Sequence, residues 1–77
     1  MKSQASPRFW QLFQDLPPDV QRLAVKNYRL WQVNPNHPSL VTVRIGGHYR
    51  ALGLIEPGIV VWIWIGPHAK YDQLIRG

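Results

Sequence analysis

The sequence contains no cysteine, only four acidic residues and no long apolar run. Without cysteine, neither disulfides nor thiolate metal sites are available to stabilise so short a chain. The longest wholly apolar run, Ile59 to Ile65, is far too short to span a bilayer. The start, MKSQASPRFWQ, lacks the apolar core of a signal peptide. We therefore expect a single cytoplasmic domain, residues 1–77, with no membrane partner.

Basic residues outnumber acidic residues, with nine Lys and Arg against four Asp and Glu, which gives a net charge of +5 and a pI near 10.3. This excess indicates an anionic partner such as nucleic acid or an acidic protein. The alternative is a basic protein that binds no polyanion. Three scattered histidines without cysteine match no metal-ligand signature, so no metal or other cofactor is expected.

The first half of the chain predicts two helices. Ser6-Pro7 supplies an N-cap and a first helical residue, and an apolar stripe with helical spacing follows. Pro17-Pro18 ends this helix and starts a second one, whose apolar stripe continues to Leu30 and Trp31 until Asn34-Pro35 stops it. The two helices are predicted to form a hairpin with facing apolar stripes.

The second half predicts three strands, at residues 40–45, 49–55 and 59–65, separated by a Gly-Gly turn and a Glu-Pro-Gly turn. The last strand is β-branched and aromatic throughout, which is typical of an interior strand. A helical turn is predicted in the tail, residues 68–77. The fold class is therefore α+β in two layers, with the N-terminal helical hairpin packed on a three-stranded antiparallel β-meander.

The loop between the first two strands decides whether Arg44 and Arg50 share a face. A two-residue loop puts Arg50 among valines, whereas a three-residue loop pairs Arg44 with Arg50 and Ile45 with Tyr49. Because burying an unpaired charge is costly, the three-residue loop is favoured. Both arginines then lie on the face away from the helices, where a bound anion would relieve their repulsion. Two solvated surface arginines are the alternative.

Strict alternation divides the last strand into two sets of side chains, one facing the helices and the other near the arginines. The first set is Ile59, Val61, Ile63 and Ile65, and the second is Val60, Trp62 and Trp64. Trp62 and Trp64 on an open sheet face indicate a covering partner. Packing in the core or under the tail is the alternative for both tryptophans.

Candidate chemistry surrounds the hairpin. Arg44 and Arg50 are candidate phosphate ligands, and His68 and Tyr71 are candidates for proton transfer, a set that suits metal-free RNA cleavage by the 2′-hydroxyl. His48 in the turn is a candidate RNA contact. An ordinary surface histidine at His68 and a packed aromatic at Tyr71 are the alternatives.

The predicted second helix carries a basic row opposite its apolar stripe. Arg22, Lys26 and Arg29 follow one another at i, i+4 and i+7. Such a row is a candidate grip for an RNA backbone or an acidic partner, and a solvated helix face is the alternative.

Four segments resemble the RelE/ParE superfamily of toxins from bacterial toxin–antitoxin modules. They are FWQLFQDLPPDVQRLAVKNYRLW, NPNHPSL, VRIGGHYRALG and IVVWIWIGPHAKYDQLI, which lie within residues 9–75. The resemblance implies a two-layer toxin that cuts mRNA on the ribosome without metal and is neutralised by an antitoxin. Gyrase inhibition is a lesser alternative, and a second copy of the chain is a further candidate partner.

The resemblance also implies roles for individual residues. Arg44 falls at a substrate-gripping position, Arg50 at the arginine that supports the transition state, and His68 at the basic residue after the last strand, while Tyr71 matches loosely. Similar members have another strand and further basic residues before the strand that carries Arg44, and this chain lacks them. That departure predicts a smaller sheet with a weaker RNA grip, and it leaves open a catalytically degenerate module that binds a peptide or RNA.

Overall fold

A computed structural model describes residues 2–28, 30–34 and 37–76, in which three helices accompany a five-stranded mixed sheet. In chain order the elements are β1 (Lys2–Ala5), α1 (Pro7–Gln14), α2 (Pro18–Asn27), β2 (Gln32–Asn34), β3 (His37–Ile45), β4 (Tyr49–Glu56), β5 (Ile59–Pro67) and α3 (His68–Arg76). The strand order is β1-β5-β4-β3-β2, with β1 parallel to β5 and all other neighbours antiparallel. The α+β class is confirmed, and the three-stranded meander is wrong.

The first two helices begin where the sequence predicts them. Ser6 caps α1, since its Oγ accepts a hydrogen bond from the Phe9 N–H at 3.2 Å. The side-chain amide of Gln21 donates to the carbonyls of Phe13 and Leu16, both at 3.0 Å, and so satisfies the C-terminal end of α1. The apolar sides of the helices meet the sheet, α1 against β5 and α2 against β3.

The first strand has no sequence signature, because Lys2–Ala5 is polar and too short for alternation to show. Its pairing with β5 explains it. The Ser6 N–H donates to the Trp62 carbonyl at 2.9 Å, and the Trp62 indole N–H donates to Ser3 Oγ at 2.8 Å. The buried indole thus has a partner, and β1 is held at the edge of the sheet.

The second helix ends at Asn27 instead of running to Asn34, and Gln32–Asn34 forms β2. The helical spacing of Leu30 and Trp31 is misleading here. The Leu30 N–H donates to the Asn27 carbonyl at 2.9 Å, and Trp31 packs against the core. Because β2 pairs with the backbone of β3, it satisfies groups that would otherwise form an open edge. The smaller sheet that the sequence resemblance led us to expect is therefore wrong.

The core lies between the first two helices and one face of the sheet. Val41, Val43 and Ile45 of β3 are the centre of it, each at most 2% exposed. Ala51 of β4 and Phe9 of α1 pack with them. This set contains the β3 side chains that the three-residue loop places against the helices.

A β-bulge interrupts the pairing of β4 with β5. Leu52 pairs with Trp64 and Gly53 pairs with Trp62, so that Ile63 is the additional residue on β5. One extra residue reverses the alternation of every side chain beyond it.

The reversal makes the two predicted sets of β5 side chains wrong. Val60 and Trp62 are in the core before the bulge, and Ile65 is in the core after it, while Trp64 lies on the opposite face with Leu52.

Among the residues described, no helix has the length and hydropathy needed to cross a membrane.

Candidate functional site

The predicted three-residue hairpin loop is confirmed. Arg44 pairs with Arg50 and Ile45 pairs with Tyr49. Gly46 opens the loop at φ +62°, a conformation that favours glycine, and a Cβ there would lie 3.1 Å from Leu23 Cδ2. Since Ile45 is buried under the helices, Arg44 and Arg50 share the opposite face.

The two guanidinium groups have no carboxylate partner in the described part of the chain. Arg44 is exposed, and Arg50 is half-buried with its Nη1 donating to the Tyr49 carbonyl at 3.1 Å. A carboxylate partner would offset these charges, but the close contact with a carboxylate that the described residues show is between His68 Nε2 and Asp72 Oδ2. Two like charges on directly opposed residues favour an anion between them.

The backbone brings both site histidines to the arginine pair. The His68 N–H donates to the His48 carbonyl at 2.7 Å, which fixes the start of α3 to the hairpin loop. Gly66, two residues before His68, pairs directly with Arg50. Arg44, Arg50, His48 and His68 therefore occupy one end of the sheet, and both histidines are exposed there.

The C-terminal helix covers part of this face through Tyr71. Tyr71 is 7% exposed, and its ring centroid lies 6.3 Å from that of Trp64 at an interplanar angle of 37°. Trp64 lies over Gly66, because a Cβ at Gly66 would be 2.7 Å from Trp64 Cζ2. Packing under the tail thus accounts for Trp64, and packing in the core accounts for Trp62. Proton transfer by Tyr71 stays a prediction, and its burial favours a packing role.

Sequence reasoning missed Asp72. Its Oδ2 lies 3.5 Å from His68 Nε2, one helical turn along α3, with the two side chains 37% and 46% exposed. The i, i+4 spacing of histidine and aspartate could have indicated this pair if the tail had been predicted as a full helix.

The basic row of α2 lies away from the arginine pair. Arg22 and Lys26 are exposed on a helix that packs on the core side of β3, so the sheet separates them from Arg44. Arg29, the third member of the row, lies outside the described residues. One short RNA segment does not contact both surfaces without passing around the edge of the sheet.

A cleft of about 600 Å³ lies between α1 and α3, next to the arginine pair. Trp64 and Leu74 contribute apolar surface to it, and Arg8, Lys70 and Asp15 contribute charge. Arg8 and Lys70 were not singled out in the sequence, because they lie 62 positions apart and only the fold brings them together.

A second, strongly apolar groove of about 360 Å³ lies over the core between β1, α1 and α2. Trp62 and Phe9 contribute to its walls, and Trp10, Val25 and Tyr28 line it while remaining 50%, 62% and 41% exposed. Large exposed apolar side chains around one groove are typical of a binding surface.

No group of three or more His, Asp or Glu side chains is placed to hold a metal ion among the described residues. No family model matches the chain, and no curated protein or solved structure matches it. The functional assignment therefore depends on the geometry described above and on the sequence resemblance.

Proposed function

We propose that this chain is a RelE/ParE-like toxin that cleaves ribosome-bound mRNA without a metal and is neutralised by an antitoxin. The observation that carries the proposal is the paired arginines: Arg44 and Arg50 lie directly opposite each other on the uncovered end of the sheet, without a carboxylate neighbour among the described residues. The backbones of His48 and His68 are joined by a hydrogen bond at the same end of the sheet. The sequence resemblance adds support, because Arg44, Arg50 and His68 fall at its functional positions.

The reaction is transesterification within the RNA. The 2′-oxygen attacks the adjacent phosphorus, the bond from phosphorus to the 5′-oxygen breaks, and the products carry a 2′,3′-cyclic phosphate and a 5′-hydroxyl. Arg44 and Arg50 stabilise the negative charge that develops on the phosphate oxygens. Each lowers the activation free energy by a few kcal/mol in such a role. His68 takes the proton from the 2′-hydroxyl, and the 5′-oxygen receives a proton from water or from Tyr71.

The decisive experiment measures both cleavage and the chemistry of the ends. Purified protein is added to ribosomes programmed with a defined mRNA, and products are mapped by primer extension and by end-group analysis. We expect cleavage with cyclic phosphate ends, and we expect a 2′-deoxy substitution at the cleavage site to block it. Uncut RNA, or products with a 5′-phosphate, would contradict the proposal.

The matched variants are Arg50→Gln and Lys2→Gln. Arg50→Gln should lower the cleavage rate by about 10²-fold or more, since it removes a charge from the transition state. Lys2→Gln changes net charge equally, but Lys2 is exposed and pairs with Ile59 at the opposite end of the sheet, so this variant should cleave normally. Circular dichroism must show that both variants are folded.

The apolar groove between β1, α1 and α2 favours a second candidate, a binding module that keeps this fold without catalysis. The net charge of +5 and the apolar lining suit an acidic, amphipathic protein segment, which is also what an antitoxin would supply. The product of an adjacent acidic reading frame is the partner to test by co-expression.

Two charge-introducing variants test whether the groove binds that partner. Val25→Glu lies in the groove and should abolish the complex, whereas Leu74→Glu, on the 51% exposed Leu74 of α3, should leave it intact. Equal binding by both variants would exclude the groove. A complex with this partner, together with no RNA cleavage by the free protein, would establish the binding module in place of the enzyme.

A further inference from the structure

We propose that the cleft between α1 and α3 binds an unpaired nucleobase of single-stranded RNA, stacked on Trp64, with Lys70 and Arg8 on the neighbouring phosphates. This inference rests on the proposed function and adds a base-binding subsite to it. The subsite is next to the arginine pair, because Trp64 lies over Gly66 and Gly66 pairs with Arg50.

Trp64 is held as a platform from two sides. Gly66 lies beneath the indole, so close that a Cβ would meet Cζ2 at 2.7 Å and Cη2 at 3.0 Å. Tyr71 flanks it from α3 at a centroid distance of 6.3 Å. The indole is only partly buried, and its remaining surface lines the cleft. A fixed, partly open indole loses little freedom when a base stacks on it.

The cleft has the charges that a nucleotide needs. Arg8 and Lys70, both exposed, line it from α1 and α3, and Asp15 is the acidic residue in the lining. Arg50, which pairs with Gly66 between β4 and β5, adds a third cation just outside the cleft. An aromatic surface beside several cations is the arrangement by which proteins bind single strands, with an aromatic face for the base and cations for the backbone.

A nucleobase fits this cleft better than an acidic peptide does. A peptide that binds by charge alone does not require an indole packed against a glycine, whereas every nucleobase has a face that stacks on an indole. Stacking is tolerant of base identity, so the cleft adds affinity with little sequence preference. The apolar groove on the other face, which has few polar groups, is the better surface for a peptide.

The test uses a fluorescently labelled thymidine hexanucleotide, which lacks the 2′-hydroxyl and is not cleaved. Binding is measured by anisotropy at several salt concentrations. Trp64→Leu keeps an apolar side chain but removes the stacking face, and it should weaken binding roughly 5- to 100-fold. Trp64→Phe should retain most of the affinity. Trp10→Leu, at the 50% exposed tryptophan of the apolar groove, should bind like the unmodified protein.

Lys70→Gln provides a separate readout, since losing one phosphate contact should reduce the salt slope of binding by about 0.7. Equal affinity for Trp64→Leu and Trp64→Phe, or an equal loss in Trp10→Leu, would overturn the subsite. So would an acidic peptide that competes fully for Trp64. Because the probe is not a substrate, this binding assay tests only the subsite. The ribosome assay separately tests the proposed nuclease activity.

Discussion

The two faces of the sheet differ in what covers them. On one face, α1 and α2 cover the strands and exclude water from a core that contains Val41, Val43 and Ile45. On the other, α3 covers only the region around Trp64, and Arg44 and Arg50 remain beside it with no carboxylate partner in the described residues. Each strand contributes side chains to both faces by alternation.

We expect this difference to separate the residues that stabilise the fold from those that carry the proposed function. Apolar burial on the first face supplies most of the free energy of folding, as it does in small domains generally. The second face holds opposed like charges and exposed histidines, which stabilise the fold little. Substitutions on the two faces should therefore have opposite effects, which the following variants test.

The largest effect is expected from Ile45→Ala on the covered face. Ile45 is 2% exposed, so its truncation should lower the free energy of unfolding by about 2–5 kcal/mol, most of the stability of a domain this small. Urea denaturation followed by circular dichroism measures the loss. Leu30→Ala, at a leucine that is 69% exposed, is the control and should change little. Equal losses in the two variants would show that the core is elsewhere.

An intermediate effect is expected from Gly53→Ala, which tests packing at the bulge. A Cβ at Gly53 would lie 2.9 Å from Trp62 Cε3 and 3.0 Å from Val41 and Val60 methyl carbons, so the core must shift at a cost of about 1–3 kcal/mol. Gly47→Ala is the control, because a Cβ there has no neighbour within 4 Å. A thermal melt of Gly53→Ala that matched the control would contradict the close contact with Trp62.

The smallest effect, and one of opposite sign, is expected from Arg44→Gln on the open face. Removing one of two directly opposed charges should raise the free energy of unfolding by about 0.2–1 kcal/mol. Added sulfate should stabilise the unmodified protein more than the variant, because the anion binds between paired arginines. A variant less stable than the unmodified protein would mean that Arg44 contributes to the fold.

Much of the fold followed from local patterns. The Ser6 cap, the proline boundary between the helices and the three-residue hairpin loop were each predicted from nearby residues, because capping, φ restriction and burial cost act over a few positions. The bulge at Ile63 was not predictable, since an extra residue in one strand has no sequence pattern of its own. The position of Trp62 was missed for that reason, because Trp62 lies in the core and not on the arginine face.

The site was predictable in part. Predicting that the two arginines lie opposite each other required only the hairpin register. That register depends on the difference in free energy between burying a valine and burying an arginine. The meeting of His48 with His68, and the cleft between Arg8 and Lys70, depend on where α3 lies. Nothing in the spacing of these residues along the chain indicates that proximity.

The sequence by itself determined which side chains must avoid water, and through alternation it determined that Arg44 and Arg50 share a face. Only the tertiary structure decided that Lys2–Ala5 and Gln32–Asn34 become strands and that Trp62 lies in the core. The physical reason is that a backbone hydrogen bond to an edge strand is available to almost any residue. Edge strands therefore form where the neighbouring strand lies, whereas buried positions depend on the side chains themselves.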